Sequence, residues 1–492
     1  MSSEMQMGKE NSPYSGNAPA DEGMALNASS DKACGAIPTV IAPYEAEWPV
    51  LALEDCLDAL IDYRGKTPMK TESGVPLVTA KVIKAGRIET PTEFIAHEDF
   101  DVWMRRGMPK PGDIVMTTEA PLGEVAQLGH EKVALAQRVI TLRGKDGFLD
   151  NNYLLYLMMS EDMQEQLKAR ATGTTVLGIK QSELRKISVK VPPLDIQKSA
   201  ASTLKALDDR IALLRETNAT LEAMAQALFK SWFVDFDPVH ANANASTKQM
   251  INPASSPSDF VGDPAAPLDS RLRGNDDLLP PELQTLFPAT FTASPQGLVP
   301  EGWNVSKVDD LLELAYGKAL KATDRIDGDI PVYGSGGITG SHNQALVSGP
   351  SVIVGRKGTV GSLYWEDRPF FPIDTVFYVK TEKPLSYCFY LLQTLGLHDM
   401  NTDGAVPGLN RNNVYRLPVV MPPDAVFNAF DDMAAAIRET IFTNNLQAQT
   451  LATLRDTLLP RLISGQLRLP EAEAEAGAGA GAGAGALLTE VV

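Results

Sequence analysis

The residues best suited to chemistry in this 492-residue sequence are loop donors and acceptors, not acids, bases or nucleophiles in catalytic spacing. In the first half they are Arg64, Lys66 and Thr67 in the loop after the first expected helix, then Lys81 and Lys84 after a strand. Thr117 and Thr118 follow another strand, and Thr172, Thr174, Thr175, Lys180 and Gln181 form a polar run before the last one. In the second half Lys318, Lys321, Tyr333, Ser335, Arg356, Lys357, Thr359, Asn401, Thr402, Arg411 and Asn412 fall at matching places. Lys and Arg suit phosphate oxygens, while guanidinium, amide and hydroxyl groups suit the base edges of DNA. Singly, each is an ordinary solvated loop residue; their repetition at matching places supports the set. Arg105-Arg106 is a weaker candidate, expected on a surface helix.

Enzyme motifs are missing. The Pro-Pro pairs follow Val191, Leu279 and Met421, so none builds the Asn/Asp-Pro-Pro-Tyr/Phe signature of an amino-methyltransferase. Arg64-Gly65-Lys66-Thr67 resembles the end of a phosphate-binding loop, but Leu60 stands where the earlier glycine is required. Gly334-Ser335-Gly336-Gly337 lacks the strand–GxGxxG–helix context and reads as a turn. His97, His130, His240, His342 and His398 show no metal spacing, and Cys34, Cys56 and Cys388 form no CxxC pair. No catalytic residue, metal or cofactor of the chain's own is therefore expected. The cysteine usage fits a reducing, cytoplasmic setting. No apolar run approaches the roughly 18 residues of a membrane span, and no signal peptide is expected.

A net charge of −18 argues at first against a polyanionic partner. Its distribution reverses that. Residues 1–45 carry −4, 235–300 carry −5 and 465–492 carry −3, whereas 46–190 and 301–420 carry only −2 each. The last two blocks hold enough bases for each to present a basic face.

The organising feature is an internal repeat. EWPVLALEDCLDAL (47–60) matches GWNVSKVDDLLELA (302–315), with Trp48 over Trp303 at an offset of 255. Ile114–Gly123 matches Val352–Gly361 at 238, and TTVLGIKQSEL (174–184) matches GAVPGLNRNNV (404–414) at 230. Order is kept while the offset drifts, as duplicated domains with variable loops require. Short apolar strands broken by Gly and Pro, such as VPLVTAKVI and PSVIVGRKG, make each half mixed α/β.

A long helical stretch closes each half. Leu204, Leu207, Ile211, Leu214, Asn218, Leu221, Ala225, Leu228 and Trp232 step by three and four, the a/d seam of a coiled coil. Adding 230 gives Ala434, Ile437, Ile441, Asn444, Ala448, Leu451, Arg455, Leu458 and Leu462. An antiparallel pair related by a twofold axis, with Asn218 opposite Asn444, satisfies both amides within the seam. In that register Leu207 meets Arg455, whose stem is expected along the seam with its head outside.

With the repeat and seams in place, the chain resembles the specificity subunits of type I restriction-modification systems. The resemblance rests on VPPLDIQ (191–197), FKSWFVDFDPV (229–239), LVPEGWNV (298–305) and LLPRLISGQLRL (458–469), and spans roughly 46–469. MPPDAVFNAF (421–430) departs from the pattern more than its first-half counterpart. The resemblance implies an α+β fold: two pseudo-symmetric mixed α/β target-recognition domains separated by a long antiparallel two-helix coiled coil. It implies that each domain reads half of a bipartite site in double-stranded DNA, and that the helix pair sets the spacing and docks two methyltransferase subunits. Restriction subunits would join through the complex. S-adenosylmethionine, ATP and Mg would then sit on those partners, with no membrane involved. The expected boundaries are a disordered extension at 1–45, a recognition domain at 46–192 and a spacer helix at 193–239. A linker at 240–297, a recognition domain at 298–421, a spacer helix at 422–466 and a low-complexity tail at 467–492 follow. Two alternatives are a specificity subunit of a related restriction enzyme with different cleavage architecture, and a coiled-coil scaffold without DNA specificity.

Overall fold

The computed structural model describes residues 48–63, 67–174, 176–251, 279–401 and 408–467, with the backbone alone over 248–251. The expected extension at 1–45, the 252–278 part of the expected linker and the expected tail from 468 onward lie outside these residues.

Each half builds the same three sheets. In the first, an antiparallel four-stranded sheet runs in the order Leu57–Asp62, Val139–Gly144, Ile114–Thr118, Leu122–Gln127. In the second the order is Glu313–Tyr316, Val376–Lys380, Ser351–Gly355, Leu363–Glu366. A three-stranded sheet accompanies each, with one parallel pairing: Val75–Val78 beside Ala134–Leu135, and Ile330–Gly334 beside Phe371–Pro372. A two-stranded ribbon, Val50–Ala52 with Ser188–Lys190 or Asn304–Lys307 with Pro418–Met421, ties the start of each half to its exit. The loop holding Thr67 thus follows a strand, not a helix. Gly334–Gly337 is the expected hairpin turn.

Successive residues in a strand face opposite ways. Ile114 and Met116 join one apolar cluster and Val115 another; Val352 and Val354 separate from Ile353 in the same manner. Both sheet faces are covered, which is why the runs IVM and VIV are apolar throughout.

The two long helices, Leu194–Phe233 and Asp424–Ile463, have 40 residues each. Their seam residues divide between two cores. Leu204, Leu207, Ile211 and Leu214 pack with Ala448, Leu451, Leu458 and Leu462 on the first half's domain. Ala225, Phe229 and Trp232 pack with Phe430 and Ala434 on the second's. The start of one helix therefore lies with the end of the other, so the pair is antiparallel.

Between the cores sit the asparagines. Asn444 Nδ2 donates to Asn218 Oδ1 at 2.8 Å, and Asn218 Nδ2 donates to Asn445 Oδ1 at 2.9 Å and to the Ile441 carbonyl at 3.3 Å. This is the register expected from the sequence. Asn218→Leu should cost about 1–3 kcal/mol by stranding the partner amides, and Asn218→Leu with Asn444→Leu should recover most of that. Chemical denaturation of the three proteins measures it, and a double variant as weak as the single one would contradict the pairing.

Two further expectations are corrected. Arg455 does not send its head out of the pair: Nη1 donates to Asp208 at 2.6 Å, Nη2 pairs with Asp456 at 2.7 Å, and the side chain is 15% exposed. Hydrogen bonds to both carboxylates outweigh burial and raise its pKa. The 240–297 linker is also partly folded. A helix runs Asp237–Ile251, and Phe291–Ser294 pairs with Gly297–Pro300. Its polar residues are anchored: Asn242 Nδ2 donates to the Gln284 and Phe287 carbonyls, and Gln284 Nε2 donates to the Pro238 carbonyl. Asn and Pro mark a linker only when nothing tertiary satisfies them.

The entry tryptophans pack at the far helix ends. Trp303 lies 6.0 Å from Phe233 by ring centroids. A Cβ on Gly465, just past the second long helix, would meet the Trp48 ring at 2.2 Å.

Candidate nucleic-acid interface

In the second half, four chain segments converge at one end of the four-stranded sheet. Main-chain hydrogen bonds fasten them: Lys318 N to Pro372 O at 3.0 Å, Arg356 N to Thr375 O at 2.9 Å, and Leu409 N to Arg356 O at 2.8 Å. Lys357 bridges Gly408, and the helix Arg411–Tyr415 starts alongside. Ser335 belongs to the same end, because its carbonyl accepts from Ser362 at 2.6 Å and Tyr364 at 3.2 Å.

The centre of this surface is Tyr316, 49% exposed at the end of its strand. The Arg356 guanidinium lies 5.0 Å from its ring centroid and the Arg411 guanidinium 4.8 Å. Arg356 Nη1 donates to the Asp374 carbonyl at 3.0 Å and Arg411 Nη1 to the Leu314 carbonyl at 3.3 Å. Both guanidiniums thus rest on aromatic faces and carbonyls and keep their charge for a ligand. Lys318, Lys357, Thr359 and Asn412 are exposed around them. Asn401 Oδ1 is spent accepting from Gly408 N. Lys321 is exposed beside a short turn, without a contact that draws it into the group.

The first half has the same convergence. Ile179 N donates to Thr118 O at 3.0 Å, Glu119 bridges Gly178, and Gln181–Arg185 begins a helix there. Thr172, Thr174 and Lys180 are exposed and Gln181 is half-buried. Thr67 Oγ1 donates to Gln137 Oε1 at 3.1 Å. Arg64, Lys66, Thr175 and Thr402 lie outside the described residues. The repeat offsets place Thr118 over Arg356 and Gln181 over Arg411, so the two surfaces share a scaffold and differ in charge.

Several candidates do not belong. Thr117 and Thr118 are buried; the Thr117 hydroxyl accepts from Glu124 N, and Thr118 donates to the Arg138 carbonyl. Tyr333 is buried with its hydroxyl donating to Glu366 at 2.9 Å, and burial raises its pKa well above the phenol range. The strand-end position alone could not reveal that Glu124, Arg138 and Glu366 use these hydroxyls. Lys81 is exposed, and Lys84 is paired with Glu89 at 2.7 Å. The hairpin of Lys84 turns at Ala85 and Gly86, which face Asp208 and Arg215 of the first long helix across a cleft. Arg105 and Arg106 line a cleft of about 310 Å³ with Tyr63, Met69, Val102 and Trp103.

Sequence reasoning missed Tyr316, whose signal was an exposed aromatic two residues before Lys318. It also missed two Tyr-x-x-Tyr pairs, Tyr153/Tyr156 and Tyr387/Tyr390, repeated at an offset of 234 between the offsets of 238 and 230.

The family model described as type I restriction modification DNA specificity domain matches residues 51–223 and 300–426, more than half of the chain. The chain belongs to this family. The specificity subunit of the type I restriction enzyme HindI of Haemophilus influenzae is 26% identical over 356 residues, covering 64% of this chain and 77% of that protein. The MjaIX specificity subunit of Methanocaldococcus jannaschii is 25% identical over 376 residues, covering 74% of this chain and 80% of that protein. Among solved structures, the S subunit of a type I restriction-modification system from M. genitalium is 17% identical with a TM-score of 0.47, covering 85% of this chain and 96% of that one. The specificity domain thus occurs twice, and each copy carries one of the two loop surfaces.

Both described cysteines, Cys56 and Cys388, are free and buried. Burial raises the pKa of Cys56 and pushes that of Cys388 up to about 12. Among the described residues no helix is long and apolar enough to cross a membrane, and no group of three or more His, Cys, Asp or Glu could hold a metal ion.

Proposed function

We propose that this chain is the sequence-reading subunit of a type I restriction-modification enzyme and catalyses nothing itself. The carrying observation is the recurrence of one loop surface at the same sheet end in both halves, with the halves built on opposite ends of one antiparallel helix pair. Each domain reads one half of a bipartite site in double-stranded DNA. Helices of 40 residues are about 60 Å long at 1.5 Å per residue, and a turn of DNA is about 34 Å. The half-sites are unlike in sequence, because Arg356 and Arg411 stand where the first domain has Thr118 and Gln181.

The catalytic steps fall to partners: two methyltransferase subunits docked on the helix pair and restriction subunits beyond them. S-adenosylmethionine, ATP and Mg belong to those subunits, and the assembly works in the cytoplasm. The test is to express the chain with its methyltransferase and map methylated positions genome-wide. Two defined half-sites around a fixed run of unspecified bases are expected. Methylation at a single uninterrupted motif, or without sequence preference, would overturn the proposal and favour a scaffold.

A further inference from the structure

Each recognition domain grips both long helices through the Tyr-x-x-Tyr pair on its own short helix, Asn151–Met159 or Leu385–Thr394. The inner tyrosines meet main chain: Tyr153 donates to the Ile463 carbonyl at 3.3 Å and Tyr387 to the Val420 carbonyl at 2.9 Å. The outer tyrosines meet ion pairs that cross between the long helices. Tyr156 donates to Asp208 Oδ2 at 2.8 Å while Arg455 donates to Oδ1 of the same carboxylate at 2.6 Å. Arg438 Nη2 donates to Glu222 at 2.6 Å and to the Tyr390 hydroxyl at 2.7 Å, and its guanidinium lies 4.4 Å from the Phe389 centroid. Burial raises the pKa of both phenols, that of Tyr390 to about 12, so each stays protonated.

The acid and base of the two clamps are not repeat equivalents. At the offset of 230, Asp208 corresponds to Arg438 and Arg455 to Ala225. Duplication alone would have placed the acid on the second helix in the second clamp; instead it lies on the first helix both times. The contact has been kept while the residues making it have changed, which points to the contact as the functional unit.

We infer that Tyr156 and Tyr390 are positioning residues that fix where each recognition domain sits along the helix pair, and so fix the number of base pairs between the half-sites. The inference rests on the two-part reading proposed above. Apolar contacts with the two helices leave a domain room to shift along them, whereas a hydroxyl tied to one ion pair between the helices holds it at one place. A shift of about 3 Å along the helix pair equals about one base-pair step.

The test uses the full chain with its methyltransferase partner, as wild type, Tyr156→Phe, Tyr390→Phe and the double variant. The probes are duplexes carrying the mapped site with the intervening run native, one base pair shorter or one longer. Wild type should bind only the native spacing tightly. The double variant should bind the altered spacings to within about tenfold of the native one, with half-site bases unchanged. Unchanged spacing selectivity, or altered base preference within a half-site, would overturn the inference. If the double variant does not fold, Arg455→Lys is read the same way, and failure of that variant to fold would reduce the clamp to fold support and overturn it too. If wild type itself shows no two-part site, it is the functional proposal that fails.

Discussion

Trp232→Ala is expected to lower the free energy of unfolding of the second recognition domain by about 3–5 kcal/mol, the range for deleting a large buried aromatic. The Trp232 ring is 1% exposed and lies 5.0 Å from Phe287 and 6.1 Å from both Phe233 and Phe430. Those partners come from three places: its own helix, the segment leading into the second domain, and the second long helix. One side chain therefore joins elements that would otherwise meet only through loops. The cavity cannot collapse easily, because the neighbouring rings are held edge to face by one another. The first domain has a separate core at the far end of the helix pair, so its transition should stay near the wild-type midpoint. Urea unfolding followed by proteolysis at each concentration resolves the two. A loss below about 1 kcal/mol, or equal loss in both domains, would contradict this account.

The same residue shows what the sequence made legible. FKSWFVDFDPV reads as a family signature, and in the fold Phe229, Trp232, Phe233, Phe236 and Val239 all pack in the second domain's core. The helix register was legible because Asn218 and Asn444 fall at matching places in two seams that are apolar elsewhere except at Arg455, and an amide within a seam needs a partner. Long-range satisfaction was not legible. Asn242 reads as a linker residue until Gln284 and Phe287 supply carbonyls 42 and 45 residues away. Thr117 and Thr118 read as strand-end hydroxyls until the neighbouring strand and the Arg138 loop use them. Tyr316 went unremarked because a lone aromatic carries no spacing. Its meaning comes from Arg356 and Arg411, which the chain delivers 40 and 95 residues later.

Arg356→Ala and Arg411→Ala should each weaken recognition of the second half-site by about tenfold to a hundredfold, corresponding to roughly 1–3 kcal/mol per good contact. The double variant should lose less than the product of the singles, because both guanidiniums lie on the Tyr316 ring and removing one frees the other to move. Their charge stands among exposed lysines, so part of the loss could come from phosphate rather than bases. Salt titration separates the two. A phosphate contact weakens all sequences alike and lowers the salt slope by about one per cation, whereas a base contact relaxes preference at a position and leaves the slope nearly unchanged. Arg411→Lys sharpens the distinction by keeping the charge and discarding the planar fork. The fork grips two acceptors on one base edge, so Arg411→Lys should behave like alanine at a base and like wild type at a phosphate. The first half-site should be unaffected in every case, since its reading loops belong to a separate domain with its own core. Lys180→Ala should give the mirror result, sparing the second half-site. Measured on duplexes in which one half-site at a time is scrambled, a variant in either domain that degraded both halves equally would mean that the domains do not read independently.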